Sequence, residues 1–321
     1  MNRLKHATNP PDGTNPPSRK KETILNTFTR DYQLWLLVLP AVIVIFIFNY
    51  IPMYGVQLAF RNFDFARGIT GGDFRGLHFF REFINSFMFA DLMRNTVVIS
   101  LATITLGFPA PIILALIINQ IKSKRGKKVL QTTVYLPYFI STVVMVAILQ
   151  VMLSPNTGIV GHMMRYIGFG HINLLGSTTT FMPVFVLSGI WQGAGWSSII
   201  YLAALSSVDP QLYDSAKIDG ANKWQIIKSV DLPVLVPTMI ILFILNMGGI
   251  LHVGFERIFL MQNPLNLPVS EVISTYVYKI GILSHQFSLS AAIGLFNTLI
   301  NFVFLVAVNI ISKKVADISL W

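Results

Sequence analysis

Charge is so unevenly distributed along this 321-residue chain that long stretches carry none. Runs without Asp, Glu, Lys or Arg extend from Tyr32 to Phe60, Asn95 to Ile121, Val129 to Met164, Tyr166 to Val208, Leu232 to Phe255 and Ile280 to Ser312. Each exceeds the roughly 20 apolar residues that an α-helix needs to cross a bilayer. Inside hydrocarbon the backbone must satisfy its own N–H and C=O groups, which a helix does within one segment. With 53% hydrophobic and only 12% charged residues, the expected fold class is an all-α membrane protein with about six transmembrane helices. We expect them near residues 33–57, 95–119, 130–153, 181–205, 236–260 and 288–312.

Six spans leave both ends on one side, and Lys and Arg indicate which. Arg3, Lys5, Arg19, Lys20, Lys21 and Arg30 precede the first span, and Lys122, Lys124, Arg125, Lys127 and Lys128 follow the second. Lys217, Lys223 and Lys228 lie between the fourth and fifth, and Lys313 and Lys314 follow the sixth. By the positive-inside rule these loops and both termini are cytoplasmic, in a multi-pass arrangement. The net charge of +10 is thus a topology signal, and no nucleic-acid partner is expected. Residues 1–30, rich in Pro, Asn and Lys and without a signal-peptide pattern, are expected to be a disordered cytoplasmic tail. Residues 31–321 are expected to form a single transmembrane domain.

Between the fourth and fifth spans lies a hydrophilic loop, residues 206–235. It contains Asp214-Ser215-Ala216-Lys217-Ile218-Asp219-Gly220 and, ten residues after the glycine, Val230-Asp231-Leu232-Pro233. Gly220 can take the positive φ that ends one short helix and lets another start at a new angle, and Pro233 is expected to stop the second. A helix over residues 211–219 would be about 13 Å long, too short to persist unless packed against something. An ordinary helix-turn-helix connection is the plainer reading.

What the chain lacks narrows its chemistry. There is no Gly-x-x-x-x-Gly-Lys-Ser/Thr stretch, and the glycines from Gly68 to Gly76 lack the lysine and hydroxyl that hold phosphate and magnesium. The absence of cysteine excludes disulfides and thiolate chemistry, and the six histidines, His6, His78, His162, His171, His252 and His285, show no ligand spacing. No catalytic or metal-ligating residue is expected. Spans without charge also argue against an ion-coupled carrier, whose coupling path usually holds intramembrane acids.

The loop resembles the EAA loop of ATP-binding-cassette (ABC) import permeases: Glu-Ala-Ala, three residues, Gly, nine residues, Ile, one residue, Leu-Pro. Asp214, Ser215 and Val230 stand for Glu, Ala and Ile, with the spacing kept. The likeness to oligosaccharide and polysaccharide permeases of bacterial type I importers runs from about residue 31 to 321. It includes Tyr50-Ile51-Pro52-Met53-Tyr54-Gly55, Phe108-Pro109-Ala110-Pro111-Ile112, Tyr135-Leu136-Pro137, Trp191, Gly195 to Ala204 and the terminal Leu320-Trp321. The resemblance implies a type I importer permease fold with a cytoplasmic coupling helix, in the inner membrane of a bacterium. It further implies a complex with a second related permease, two cytoplasmic ATPase subunits that bind ATP and Mg, and an extracytoplasmic solute-binding protein. This chain would need no cofactor of its own and would be a transport subunit. The residues implied in ATPase coupling are Tyr213, Asp214, Ser215, Ala216, Asp219, Gly220, Ala221, Leu232 and Pro233.

A sugar path needs aromatic faces for C–H surfaces and amides or hydroxyls for ring hydroxyls. The fourth span offers Trp191, Gln192 and Trp196 beside Gly189, Gly193 and Gly195; Gln192 and Trp196, four apart, share a face and Trp191 points elsewhere. Gly-x-x-x-Gly spacing equally suits tight helix packing, so substrate contact and packing both stand here. Asn246 and His252 in the fifth span, and Asn297 with Asn301 in the sixth, are further path candidates, with helix-helix hydrogen bonding as the alternative. Tyr135, Tyr138 and Gln150 are weaker ones, and Glu256 and Arg257 are expected near the outer surface. The first external segment is slightly positive, with Arg61, Arg67, Arg75, Arg81 and Arg94 against Asp64, Asp73, Glu82 and Asp91. That balance favours an acidic saccharide such as a uronate polymer; a solvated loop with local ion pairs explains it as well. The alternatives in function are an ABC permease for another solute, an ATPase-independent carrier or channel, and a membrane scaffold.

Overall fold

The computed structural model describes residues 32–168 and 172–320, so the expected tail 1–30, His171 and Trp321 lie outside the described residues. The chain divides into two compact units, residues 1–55 and 56–321. In the first, α1 (Tyr32–Ile45) passes into a π-helical turn, Phe46–Tyr50, and then into a 3-10 stretch, Ile51–Phe60, whose residues 56–60 belong to the second. The second contains α2 (His78–Ile84), α3 (Phe89–Gly107), α4 (Pro109–Asn119), α5 (Lys124–Tyr135), α6 (Thr142–Met152), α7 (Ile159–Tyr166) and α8 (Phe181–Ser206). It continues with α9 (Pro210–Ile218), α10 (Lys223–Ile226), α11 (Leu232–Met247), α12 (Phe255–Met261), α13 (Leu267–Ser270), α14 (Ile273–Tyr278) and α15 (Phe287–Ala316).

Among the described residues, Tyr32–Phe60, Phe89–Asn119, Lys223–Met247 and Phe287–Ala316 are long and apolar enough to cross a membrane. The first, second and fourth of these match expected spans. The expected fourth span is α8, long enough at 26 residues, but its glycines, serines, Gln192 and tryptophans dilute its apolar character below that of the other four.

Two expected spans differ from the structure. Residues 130–153 are not one rod: Lys124–Phe139 and Thr142–Met152 are bent by 98°. Pro137 sits in a 3-10 turn, Ile140 is extended (ψ 127°), and Ser141 restarts the chain as an N-cap whose hydroxyl accepts from the Val144 N–H at 3.3 Å. The helix expected at 236–260 instead runs over Lys223–Met247, after which the chain turns, and Gly254 (φ 67°) opens the separate α12. The broken end is tied down by a hydrogen bond from the Leu251 N–H to Asn301 Oδ1 at 2.9 Å. Pro233 does not stop the helix before it. A π-helical turn, Ile227–Asp231, shifts the bonding so that the Leu232 N–H reaches Ile227 O, and Pro233 then falls in the first turn of α11, where no N–H is required.

α8 is the element on which the second unit is assembled, packing along α3 and α4. Near its N-terminal end Phe181, Phe185 and Val186 join Ile99, Met145, Ile258 and Met261 in one buried cluster. Towards its C-terminal end Tyr201 and Leu205 join Ile112, Ala115 and Leu235 in another. Gly195 makes a close approach possible, since a Cβ there would lie 1.9 Å from Val134 O.

Candidate functional site: a coupling segment and a cavity along one helix

The EAA-like segment forms two short helices at an angle. Asp209 caps α9, its Oδ1 accepting from the Gln211 N–H at 2.9 Å, with Pro210 as first helical residue. The helix ends at Asp219 with Gly220 at φ 76°. The Gly220 N–H bonds to Lys217 O at 3.1 Å and the Ala221 N–H to Ala216 O at 2.9 Å, the paired closure of a Schellman motif. Asn222 and Gln225 then cap α10 reciprocally, at 3.0 and 2.7 Å.

The two faces of this segment are chemically distinct. Outward, Ile218 and Trp224 are 86% and 70% exposed, an apolar surface on a loop that sequence alone makes hydrophilic. Asp214 is also exposed, ion-paired with Lys217 at 2.8 Å, and Ser215 Oγ donates to Gln211 O. Inward, the Tyr213 hydroxyl donates to Asp231 Oδ1 at 2.7 Å. Asp231 is fully buried and also accepts from Asn119 Nδ2 (3.2 Å) and Gln120 Nε2 (2.9 Å) at the end of α4. Burial and the neighbouring carboxylate push the Tyr213 phenol up to about 12. One carboxylate thus ties α9 to the end of α4 and the start of α11. Leu232 and Pro233 follow it directly as the start of α11.

A cavity of about 540 Å³ runs along α8 from Val186 to Tyr201, lined also by α3, α4, α11 and Arg257 of α12, within the range of small-molecule sites. Thr103, Trp196, Ser197, Tyr201, Asn246 and Arg257 are the lining residues with polar side chains. Of the expected path residues, Trp196 and Asn246 line it, whereas Trp191, Gln192, His252 and Asn297 do not. Trp196 stacks on Tyr138 (centroids 4.6 Å apart, planes 4° apart). Gln192, on the same face, donates to Ile140 O at 2.9 Å, capping the bend between α5 and α6. Asn246 donates to Leu242 O of its own helix, His252 is exposed in the turn before α12, and Asn297 is buried on α15. Gln150 donates to Leu260 O, fixing the C-terminal end of α12.

Arg257 and Glu256, expected near the outer surface, differ in burial: Arg257 is half-buried and Glu256 is exposed. With Glu256, Arg257 ends the 24-residue uncharged run from Leu232 to Phe255 and is followed by the apolar Ile258-Phe259-Leu260-Met261. Asp231, Asn119 and Gln120 were missed as a unit, because nothing in their spacing announces a contact between segments a hundred residues apart.

The sequence profile described as "Binding-protein-dependent transport system inner membrane component" matches residues 107–317. The chain is 36% identical over 299 residues to the polygalacturonan/rhamnogalacturonan transport system permease protein YteP of Bacillus subtilis, covering 93% of each chain. It is 35% identical to Protein LplB of the same organism, covering 89% of this chain and 90% of that one. A crystal structure of a bacterial ABC transporter involved in the import of the acidic polysaccharide alginate includes a chain 38% identical, with a TM-score of 0.84 over 91% of this chain and 99% of that one. By the profile match and the near full-length likeness, this chain belongs to the family of inner-membrane components of binding-protein-dependent transport systems, as an ABC-transporter permease subunit.

Proposed function

We propose that this permease carries an acidic oligo- or polysaccharide, a uronate polymer or its fragments, from an extracytoplasmic binding protein to the cytoplasm by alternating access. The carrying observation is that relatives of more than one-third identity over nine-tenths of the chain are named for polygalacturonan and for alginate, both uronate polymers. A related complex holds an alginate pentasaccharide on a periplasmic protein, which supports the same delivery route. In this reading the chain pairs with a second permease and with two ATPase subunits that bind ATP and Mg. Residues 206–235 seat on an ATPase, the apolar Ile218 and Trp224 making that contact, while Tyr213 and Asp231 pass the motion into α4 and α11. Both termini are cytoplasmic, and residues 31–321 act as one transmembrane domain.

The test is uptake of oligogalacturonate and alginate oligosaccharides into vesicles holding the whole complex. Accumulation should require ATP, the ATPase subunits and the binding protein together. Uptake that persists without the ATPase subunits would instead establish a carrier, and uptake of neutral oligosaccharides alone would refute the acidic cargo.

A further inference from the structure

We propose that Arg257 holds the carboxylate of a translocating uronate unit inside the cavity on α8; this inference rests on the acidic-saccharide reading and gives it a site. α12 lays the guanidinium against one face of α8, with its central carbon 4.1 Å from the Phe185 ring centroid. Gly189, one turn further on the same face, leaves the space the group occupies. A Cβ at that position would lie 2.1 Å from Nη1 and 2.7 Å from the guanidinium carbon. The ring beneath and the gap beside it form a cradle for a planar cation.

Among the described residues, the cation in that cradle has no counter-ion. No described carboxylate lies within ion-pair distance of Arg257, and its buried Nε has no acceptor. Thr103 Oγ1, on the same cavity, is likewise buried without a partner. Among the described residues Arg257 is the only charged one in the lining, which gives the cavity a positive wall. A guanidinium does not shed its proton, and an unpaired desolvated charge is costly even with an aromatic ring beneath it. A group that only filled space over Phe185 would do so without charge. The fork of N–H donors matches a carboxylate in shape, and the Thr103 hydroxyl can serve a ring hydroxyl beside it. A single cation, rather than a cluster, also suits a site that must release what it binds.

The experiment uses the assembled complex, with trigalacturonate and its fully methyl-esterified form as probes, identical in ring chemistry and differing in charge. Binding to the solubilised complex without the binding protein is measured by equilibrium dialysis, and ATP-driven uptake of trigalacturonate is measured in vesicles. Arg257→Met should weaken trigalacturonate binding at least about tenfold and leave the ester within about twofold, and Arg257→Lys, which keeps the charge but not the planar fork, should restore only part of the discrimination. Gly189→Ala, which keeps the charge but displaces the guanidinium, should weaken trigalacturonate as Arg257→Met does. Size-exclusion chromatography establishes that each variant assembles. Wild-type uptake of trigalacturonate together with unchanged binding in Arg257→Met overturns the site alone, as does equal loss of both probes in an assembled variant. Absence of wild-type uronate uptake overturns the cargo reading, and the site with it.

Discussion

At the scale of single residues, a buried carboxylate is the feature with the widest reach. Asp231 is satisfied by three donors from two other elements, so removing one leaves part of a buried charge unpaired. Tyr213→Phe is expected to destabilise the joint by about 1.5–3 kcal/mol, read as a lowered Tm of the purified complex, and to reduce transport per ATP hydrolysed. Because the Tyr213 phenol is raised from 10.0 to about 12, the folded state holds this proton more tightly than the unfolded one. Its contribution is full below pH 10 and is lost as pH rises from 10 towards 12; a Tm that falls as steeply over that window in Tyr213→Phe as in wild type would contradict this. Gly220→Val should strain the turn by about 1–3 kcal/mol, because its φ of 76° suits only glycine well. ATP hydrolysis should then continue with less transport, and a wild-type ratio of the two would contradict the role given to the turn. Gly220 was legible in sequence because its spacing to Leu232-Pro233 is local. Asp231 was not, because a carboxylate read along the chain reveals nothing of Asn119 and Gln120.

At the scale of elements, the fold depends on where helices are interrupted. Charge-free runs show that membrane helices exist, since the cost of burying charge acts over whole segments. They do not show where those helices bend. Pro233 looked like a stop and is absorbed by a π-helical turn ahead of it, whereas the bend at Ile140–Ser141 sits in a run that contains no charge at all. The bend is held from α8, by the Gln192 amide on Ile140 O and by Trp196 on Tyr138. Gln192→Leu is therefore expected to cost about 1–3 kcal/mol by leaving that carbonyl without its donor, seen as a lower Tm of the complex. Gly195→Leu should be more damaging, since even a Cβ there collides with Val134 O, and assembly measured by size exclusion should fail first. Of the path residues named from sequence, Trp196 and Asn246 line the cavity while Gln192 serves the bend between α5 and α6, a difference that residue type alone does not reveal.

At the scale of the whole molecule, the cavity and the coupling segment share one mechanical element. From Gly189, beside Arg257, to Ser206 is 17 residues of unbroken α8, about 26 Å of helix at 1.5 Å per residue, and α9 begins four residues later. The far end of the coupling segment re-enters through Asp231 into α11, which carries Asn246 back to the same cavity. A displacement of α9 would thus have two helical routes to the cavity, which is the property a permease driven from outside its own chain requires. The central claim, that this chain couples a partner's ATP hydrolysis to passage of an acidic saccharide, is tested most directly by ATPase stimulation of the reconstituted complex with binding protein loaded with either uronate or neutral oligosaccharides. The account predicts stimulation by uronate oligosaccharides and little by neutral ones of equal length; stimulation by the neutral sugars alone would contradict it.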